Sequence, residues 1–310
     1  MLILNRADVE ALLDLDVLVD RLTDGFIEVS AGRVSVPPRT AAFASDGFLG
    51  AMPGYVGGVL EAKLVTVFPN NPDRGLDSHN ALISLFDGAT GEPLAVMDGT
   101  HITAMRTAGG SALATKTLAR SDATILAIVG AGVQGRSHLE LVPRVRDFDE
   151  IRIASRTHAH AESLAGSKNA RAVDDFEDAV RGADVVCVCT DATTPVLDGS
   201  WLAPGTHVTS VGASPRGGEL DDATIRAGLL VVESRVAFEP PPAGAYELQG
   251  LDPNEAVELG EILSGAHPGR TSDDEITVYK SMGHAMEDAM AARLVYDATL
   301  DQGVGTSVSI

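Results

Sequence analysis

Three glycines stand in the run Gly130-Ala131-Gly132-Val133-Gln134-Gly135, directly behind the apolar stretch Ile125–Val129. Glycines at this spacing, placed between a strand and a helix, make a phosphate-binding turn. Gly130 permits the tight turn, Gly132 lets a pyrophosphate reach the backbone, and Gly135 lets helix and strand pack closely. The N–H groups opening the helix, those of Val133 and Gln134 among them, then face the phosphates. The expected ligand is a nicotinamide dinucleotide. The next β-rich run ends in Ser155-Arg156-Thr157, where an NAD site usually places an Asp or Glu for the ribose 2′-hydroxyl. A guanidinium flanked by hydroxyls suits a 2′-phosphate instead, so NADP(H) is favoured and NAD(H) is the alternative.

Lys63 is the other residue whose setting invites chemistry. It lies inside the apolar run 62–68, where burial lowers an ammonium pKa towards the range in which it exchanges protons. The remaining candidates read as structure. His79, His101, His138 and His284 lack metal-ligand spacing, so no metal is expected. Asp273-Asp274-Glu275 is an acidic run of the solvated kind, and no GxSxG nucleophile motif occurs. Cys187 and Cys189 are two apart on one strand, which suits small core residues rather than a disulfide.

The elements that must position these residues follow from periodicity. Leu18, Leu22, Phe26 and Val29 mark an opening helix, with Asp14 or Asp16 as its cap and Gly32 as its stop. Short apolar runs at 48–52, 62–68 and 81–86 predict a mostly antiparallel sheet, and small residues over 103–118 predict a helix leading out of it. Strand-like runs at Ile125–Val129, 151–154, 185–190, 207–211 and Leu229–Val232 then alternate with helical stretches, the pattern of parallel βαβ units. A last helix is expected from about 281 to 300, with Met282, Met286, Met290 and Leu294 as a packing stripe. The fold class expected is α/β: a Rossmann doubly wound parallel sheet over 117–289, plus a discontinuous α+β substrate and dimerisation domain over 1–116 joined by the C-terminal helix, about 290–310.

Composition bounds the setting. The 310 residues carry a net charge of −21, which argues against nucleic acid or an anionic membrane as partner. No run approaches the roughly 18 apolar residues of a membrane span, and no basic-then-apolar leader opens the chain, so a cytoplasmic protein is expected.

Motifs outside the glycine turn carry a family likeness. They include Val36-Pro37-Pro38-Arg39, Lys63-Leu64-Val65-Thr66-Val67-Phe68-Pro69-Asn70-Asn71, Asp87-Gly88-Ala89-Thr90-Gly91-Glu92-Pro93, Met97-Asp98-Gly99 and Ile102-Thr103-Ala104-Met105-Arg106-Thr107. Gly212-Ala213-Ser214, Glu219-Leu220-Asp221 and 273–283 continue the match, which runs in order along nearly the whole chain. In these the sequence resembles the ornithine cyclodeaminase/mu-crystallin family. The resemblance implies a homodimer formed through the first domain and an active site between the domains. It implies that Arg39, Lys63 and Arg106 grip the carboxylate of a small amino or imino acid. It places Ser78, Thr107, Thr190, Val211 and Ser281 beside the cofactor, and makes Lys63 and Ser214 the candidate catalytic residues.

One departure shifts the expected activity. Cyclodeaminases of this family carry an aspartate where this chain has Ser214, and the following Pro215-Arg216-Gly217-Gly218 is about one residue short of the family pattern. A serine hydroxyl alone is a poor base near neutral pH. Ketimine-reductase members also read Gly-Ala-Ser here and prefer NADPH. The expectation is therefore NAD(P)H-dependent reduction of a cyclic 2-imino acid, with ornithine cyclodeaminase, alanine dehydrogenase and a non-catalytic ligand binder as alternatives.

Overall fold

A computed structural model describes residues 1–166, 170–214 and 216–309; Pro215, in the loop behind Ser214, lies outside the described residues. The chain divides into two compact units, Met1–Arg106 with His284–Ile310, and Thr107–Gly283. Sequence spacing had drawn these boundaries after 116 and near 290. The helix Gly99–Leu118 runs unbroken through the first boundary, so no turn residue marks it.

The first unit is built on a seven-stranded sheet, ordered Thr306–Ser307, Leu2–Leu4, Pro93–Asp98, His79–Asp87, Val59–Val67, Phe48–Val56, Thr40–Phe43. Its long strands are antiparallel neighbours, and Gly57 and Gly58, both at positive φ, close the two-residue hairpin between Val56 and Val59. Period-two alternation turns Met52, Val56, Val59, Val65, Ile83 and Leu85 inward. Helices pack on this unit, the short Arg6–Leu12 among them. Leu15–Ser30 starts at Asp14, whose carboxylate accepts from the Asp16 and Val17 N–H groups, and buries Leu18, Leu22 and Phe26. Ala285–Gln302 closes the unit, and a side chain at Gly25 would fall on the Met286 sulfur. The opposite sheet face leaves Leu49, Leu60, Leu64 and Leu82 exposed.

The methionine stripe is split. The closing helix begins only after its His284 cap, so Ser281 and Met282 are not helical. Met282 joins the core of the second unit, whereas Met286 is buried in the first. Gly283, at φ +75°, breaks the run between them.

The second unit carries an eight-stranded, wholly parallel sheet ordered Val257–Glu258, Leu229–Val232, Thr277–Lys280, His207–Ser210, Val185–Val188, Ile125–Val129, Glu150–Ala154, Arg171–Ala172. Such sheets are covered on both faces, which is why the central strands Val185–Val188 and His207–Ser210 are buried at every position. The first strand, Ile125–Val129, has the second strand on one side and Val185–Val188 on the other. That reversal of strand order is where doubly wound sheets bind nucleotides, at the carboxyl ends of the strands. Cys187 and Cys189 are free thiols in this core; burial pushes the Cys187 pKa up to about 12 and raises that of Cys189 too, so neither is a ready nucleophile. Among the described residues no helix is long and apolar enough to cross a membrane, and no cluster suits a metal ion.

Candidate active site

In the first unit the strand Val59–Val67 places Glu61 and Lys63 on its inward face, between Val59 and Val65. Each has 3 % or less of its surface exposed. Burial at that depth needs partners, and for Lys63 the closing helix supplies one. The Lys63 ammonium lies 2.7 Å from Asp288 Oδ2. Arg106, itself buried, donates from Nε to Asp288 Oδ1 and from Nη1 to Glu287 Oε2, each at 2.9 Å. Glu287 also accepts from the His284 N–H at 2.7 Å, which closes the helix start and holds its carboxylate in place. Asp288 thus joins Lys63 and Arg106 into one ionic cluster.

The cluster tunes its own members. Burial, aided by the Arg106 guanidinium, lowers the Lys63 pKa to about 8, with Asp288 opposing the fall. Asp288 feels burial most, which works to raise its pKa, but Arg106 and Lys63 together hold it below the usual range. Burial and then the nearby Asp288 push Glu61 well above the usual carboxylate range, against the pull of Lys63 and Arg106. His79 opens the neighbouring strand; burial, then Lys63 and Arg106, lower its pKa to about 4 and keep it neutral near pH 7. Arg39, half-buried, is close enough to weigh on the charge of Lys63. Ser78 lies beside His79, and its carbonyl accepts from the Phe68 N–H at 2.8 Å.

Buried ion pairs cost more to desolvate than they usually return, so apolar residues would serve stability as well. Retaining two cations and their carboxylates here is a functional argument. What the arrangement offers is a guanidinium held in place by two carboxylates and an ammonium ready to exchange its proton near neutral pH.

In the second unit the glycine turn behaves as its sequence requires. Gly130 has φ +110°, and a side chain at Gly135 would collide with the Gly130 carbonyl. At Gly132 a Cβ would meet nothing within 4 Å, and no side chain caps the helix Val133–Val145 that starts there. Open space over uncapped N–H groups fits a dinucleotide pyrophosphate. Val133, 65 % exposed at this turn, is a large apolar side chain in want of a cover. Ser155, Arg156 and Thr157 follow the adjacent strand Glu150–Ala154, with Arg156 and Thr157 exposed.

Two carboxylates to which the sequence assigns no role, Glu219 of the motif Glu219-Leu220-Asp221 and Glu233, organise the strand ends. Glu219 is buried and accepts four hydrogen bonds: from the Thr190 N–H and hydroxyl at 2.8 and 2.7 Å, and from the Ser210 hydroxyl and Gly212 N–H at 2.8 and 2.6 Å. It thereby staples the ends of two adjacent strands and fixes Thr190 and the Val211–Gly212 bend. The Lys280 ammonium donates to the Ser210 hydroxyl at 3.0 Å and the Gly212 carbonyl at 2.6 Å, and pairs with Glu247 at 3.1 Å. Glu233 accepts from the Ser281 hydroxyl at 2.5 Å and from the Met282 and Gly283 N–H groups at 3.0 Å. Ser281 is thereby oriented by a strand-end carboxylate rather than by a helix. Ser214 Oγ accepts from the Arg216 N–H at 3.3 Å.

Of the expected site residues, the first unit carries Arg39, Lys63, Ser78 and Arg106, and brings Lys63 and Arg106 onto one carboxylate. The second carries Thr107, the glycine turn, Ser155-Arg156-Thr157, Thr190, Val211, Ser214 and Ser281. Missed were Glu61, Glu287 and Asp288 in the first unit and Glu233 in the second, while His79 was read as structure and Glu219 named only within a family motif. A signal existed for Glu61: in a strand whose inward positions include Val59 and Val65, the charged Glu61 and Lys63 fall on the same, buried face.

Comparison with known proteins extends these observations. A model of the ornithine cyclodeaminase/mu-crystallin family matches residues 1–303. The ketimine reductase mu-crystallin of Mus musculus is 43 % identical over 274 residues, covering 86 % of each chain. The solved structure of Thermococcus litoralis Δ1-pyrroline-2-carboxylate reductase in complex with NADH and L-proline is 38 % identical, with a TM-score of 0.94 over 99 % of this chain and 100 % of that one. An archaeal alanine dehydrogenase dimer with bound NAD is 30 % identical, with a TM-score of 0.92 over 100 % and 99 % of the two chains.

Proposed function

The chain belongs to the ornithine cyclodeaminase/mu-crystallin family, and from that premise we propose that it is an NADPH-dependent reductase of cyclic 2-imino acids such as pyrroline- or piperideine-2-carboxylate. The observation that carries this reading is the buried cluster of Lys63, Arg106 and Asp288. It presents guanidinium and ammonium donors of the kind that grip a carboxylate, the ammonium with a pKa of about 8, protonated at neutral pH yet able to give its proton up.

The turn Gly130–Gly135 with Ser155, Arg156 and Thr157 would hold the dinucleotide, which when bound would supply the hydride for reduction of the imine. Arg39 and Arg106 hold the substrate carboxylate and so fix the C=N bond in one orientation. Lys63 completes the grip and, directly or through water, keeps the imine nitrogen protonated, which makes its carbon electrophilic. That proton stays on nitrogen in the product amine, so one hydride and one proton are consumed per turnover. Asp288 holds the Lys63 ammonium at 2.7 Å and stabilises its charged form. Glu219 and Glu233 keep Thr190, Val211 and Ser281 in place around the dinucleotide.

Arg156 supports NADPH over NADH, since an exposed guanidinium at the end of the second strand can pair with a 2′-phosphate. The exposed leucines 49, 60, 64 and 82 on the outer face of the first unit's sheet support a homodimer formed there; light scattering at the mass of one chain would end that part of the reading. Ser214, where the family's cyclodeaminases have aspartate, disfavours deamination.

The test is an assay of the purified protein with NADPH or NADH against pyrroline- and piperideine-2-carboxylate, and with ornithine and NAD. NADPH-dependent consumption of an imine with ornithine inert is expected. Proline and ammonia from ornithine would replace this reading with cyclodeaminase, and dinucleotide binding with no turnover would replace it with a ligand binder.

A further inference from the structure

Glu61 is the member of the buried cluster that the carboxylate grip leaves without a task. Lys63 and Arg106 are balanced by Asp288 and Glu287, two cations against two anions. Glu61 is a fifth ionisable group, only 3 % exposed, and neither of its carboxyl oxygens has a hydrogen-bond partner among the described residues. The sheet makes room for it: its antiparallel neighbour is Gly54, where an added Cβ would already crowd Glu61 Oε1 at 3.3 Å. A buried carboxyl without a donor is expensive as an anion and tolerable as an acid.

Resting on the function proposed above, we infer that Glu61 is the proton-uptake site coupled to substrate binding: an anionic imino acid is held tightly only while Glu61 carries a proton. A bound substrate adds a further carboxylate to a cluster whose internal charges already cancel. With Arg39 set against the substrate carboxylate, an ionised Glu61 would still stand as an uncompensated anion beside it in a low-dielectric site; protonation removes that charge. The groups around Glu61 pull both ways, and burial decides between them. Its own strand offers Lys63, the helix Gly99–Leu118 offers Arg106, and the closing helix offers Asp288 and Glu287. The strand beyond places Leu85 opposite it and His79, held neutral, at its start. Gly54 contributes no charge, and Arg39 acts on Lys63. Burial and Asp288 favour the protonated form, and Lys63 and Arg106 only partly offset them. Linkage makes the effect reciprocal: what raises proton affinity at Glu61 on binding also makes binding weaken as Glu61 loses its proton.

The experiment is calorimetric titration of the NADP-saturated protein with pyrrole-2-carboxylate, a planar anion that accepts no hydride, across a pH series. Each titration is run in two buffers of different ionisation enthalpy, for wild type and Glu61→Gln. Wild type should take up protons on binding. Glu61→Gln, which keeps the shape of the protonated acid, should lose that component and keep only the uptake due to Lys63. Steady-state assays should agree: KM for the imine rises with pH earlier in wild type than in Glu61→Gln, by roughly tenfold at its widest, with kcat similar in both. Equal proton uptake and superimposable KM profiles would overturn the inference while leaving the reductase reading intact. Failure of wild type to bind pyrrole-2-carboxylate at any pH would overturn the inference together with that reading.

Discussion

Glu219 and Glu61 are both buried acids, one in each unit, and their surroundings differ at every oxygen. Glu219 accepts four hydrogen bonds from N–H and hydroxyl donors at two strand ends. Glu61 accepts none among the described residues and shares its space with a balanced set of ion pairs. A carboxylate with every lone pair engaged is a rigid fastener, because removing its charge would strand all its donors at once. A carboxyl with no donor can change its charge without breaking anything. The first arrangement suits a scaffold that positions a dinucleotide, and the second suits a region where a proton must come and go.

The largest effect that sharpens this contrast is expected from Lys63→Met. It removes the ammonium but keeps the volume, and should cut kcat for imine reduction by about 1000-fold or more while NADPH affinity changes little. Steady-state kinetics with a fluorescence titration of NADPH separate the two; loss of both would contradict the assignment of Lys63 to substrate rather than scaffold. Glu219→Ala should behave in the opposite sense. Leaving four donors unpaired should cost on the order of 3 kcal/mol and lower the melting temperature by about 5–10 °C. An unchanged melting curve would remove Glu219 from its fastening role.

A smaller effect, spread over pH, comes from the buried imidazoles of the second unit. Burial lowers His138 to about 4 and His207 to about 3. The unfolded chain binds their protons near pH 6.5, whereas the folded chain does not until those lower values. Their contribution is therefore complete above about pH 6.5 and is lost as pH falls towards 4 and 3, on the order of 3 kcal/mol for His138 and about 5 kcal/mol for His207 at the acid end. Thermal melts from pH 7 to pH 4 should show a steady fall; a flat profile would mean that these rings accept protons in the folded state.

The second unit was the more legible in sequence, because its signals are local. A strand, a glycine turn and a helix follow one another within the stretch from Ile125 to Val145, with Gly130 at positive φ and Gly135 packed on the Gly130 carbonyl. The helix Leu15–Ser30 was equally plain, since Asp14 both precedes the apolar stripe and caps it, whereas the shorter Arg6–Leu12 before it was not read. The ionic cluster was harder to see. Lys63 and Asp288 are far apart in the chain and meet through tertiary packing alone. Glu287 and Asp288 lie in the first turn of the closing helix, where acidic residues are ordinary for helix starts and suggest solvent. They are instead among its buried residues, because the first turn of that helix meets the guanidinium of Arg106. Glu219 and Glu233 were hidden for a related reason: an acid in a loop reads as solvated until the strand ends that need an acceptor are known.

The central claim is that Arg39, Lys63 and Arg106 hold the substrate carboxylate, and a crystal structure of the protein with NADP and L-proline tests it most directly. The account predicts the proline carboxylate within hydrogen-bonding distance of all three side chains, with Lys63 still paired to Asp288. A carboxylate held by other residues, with these three cations engaged only by the protein's own acids, would contradict it.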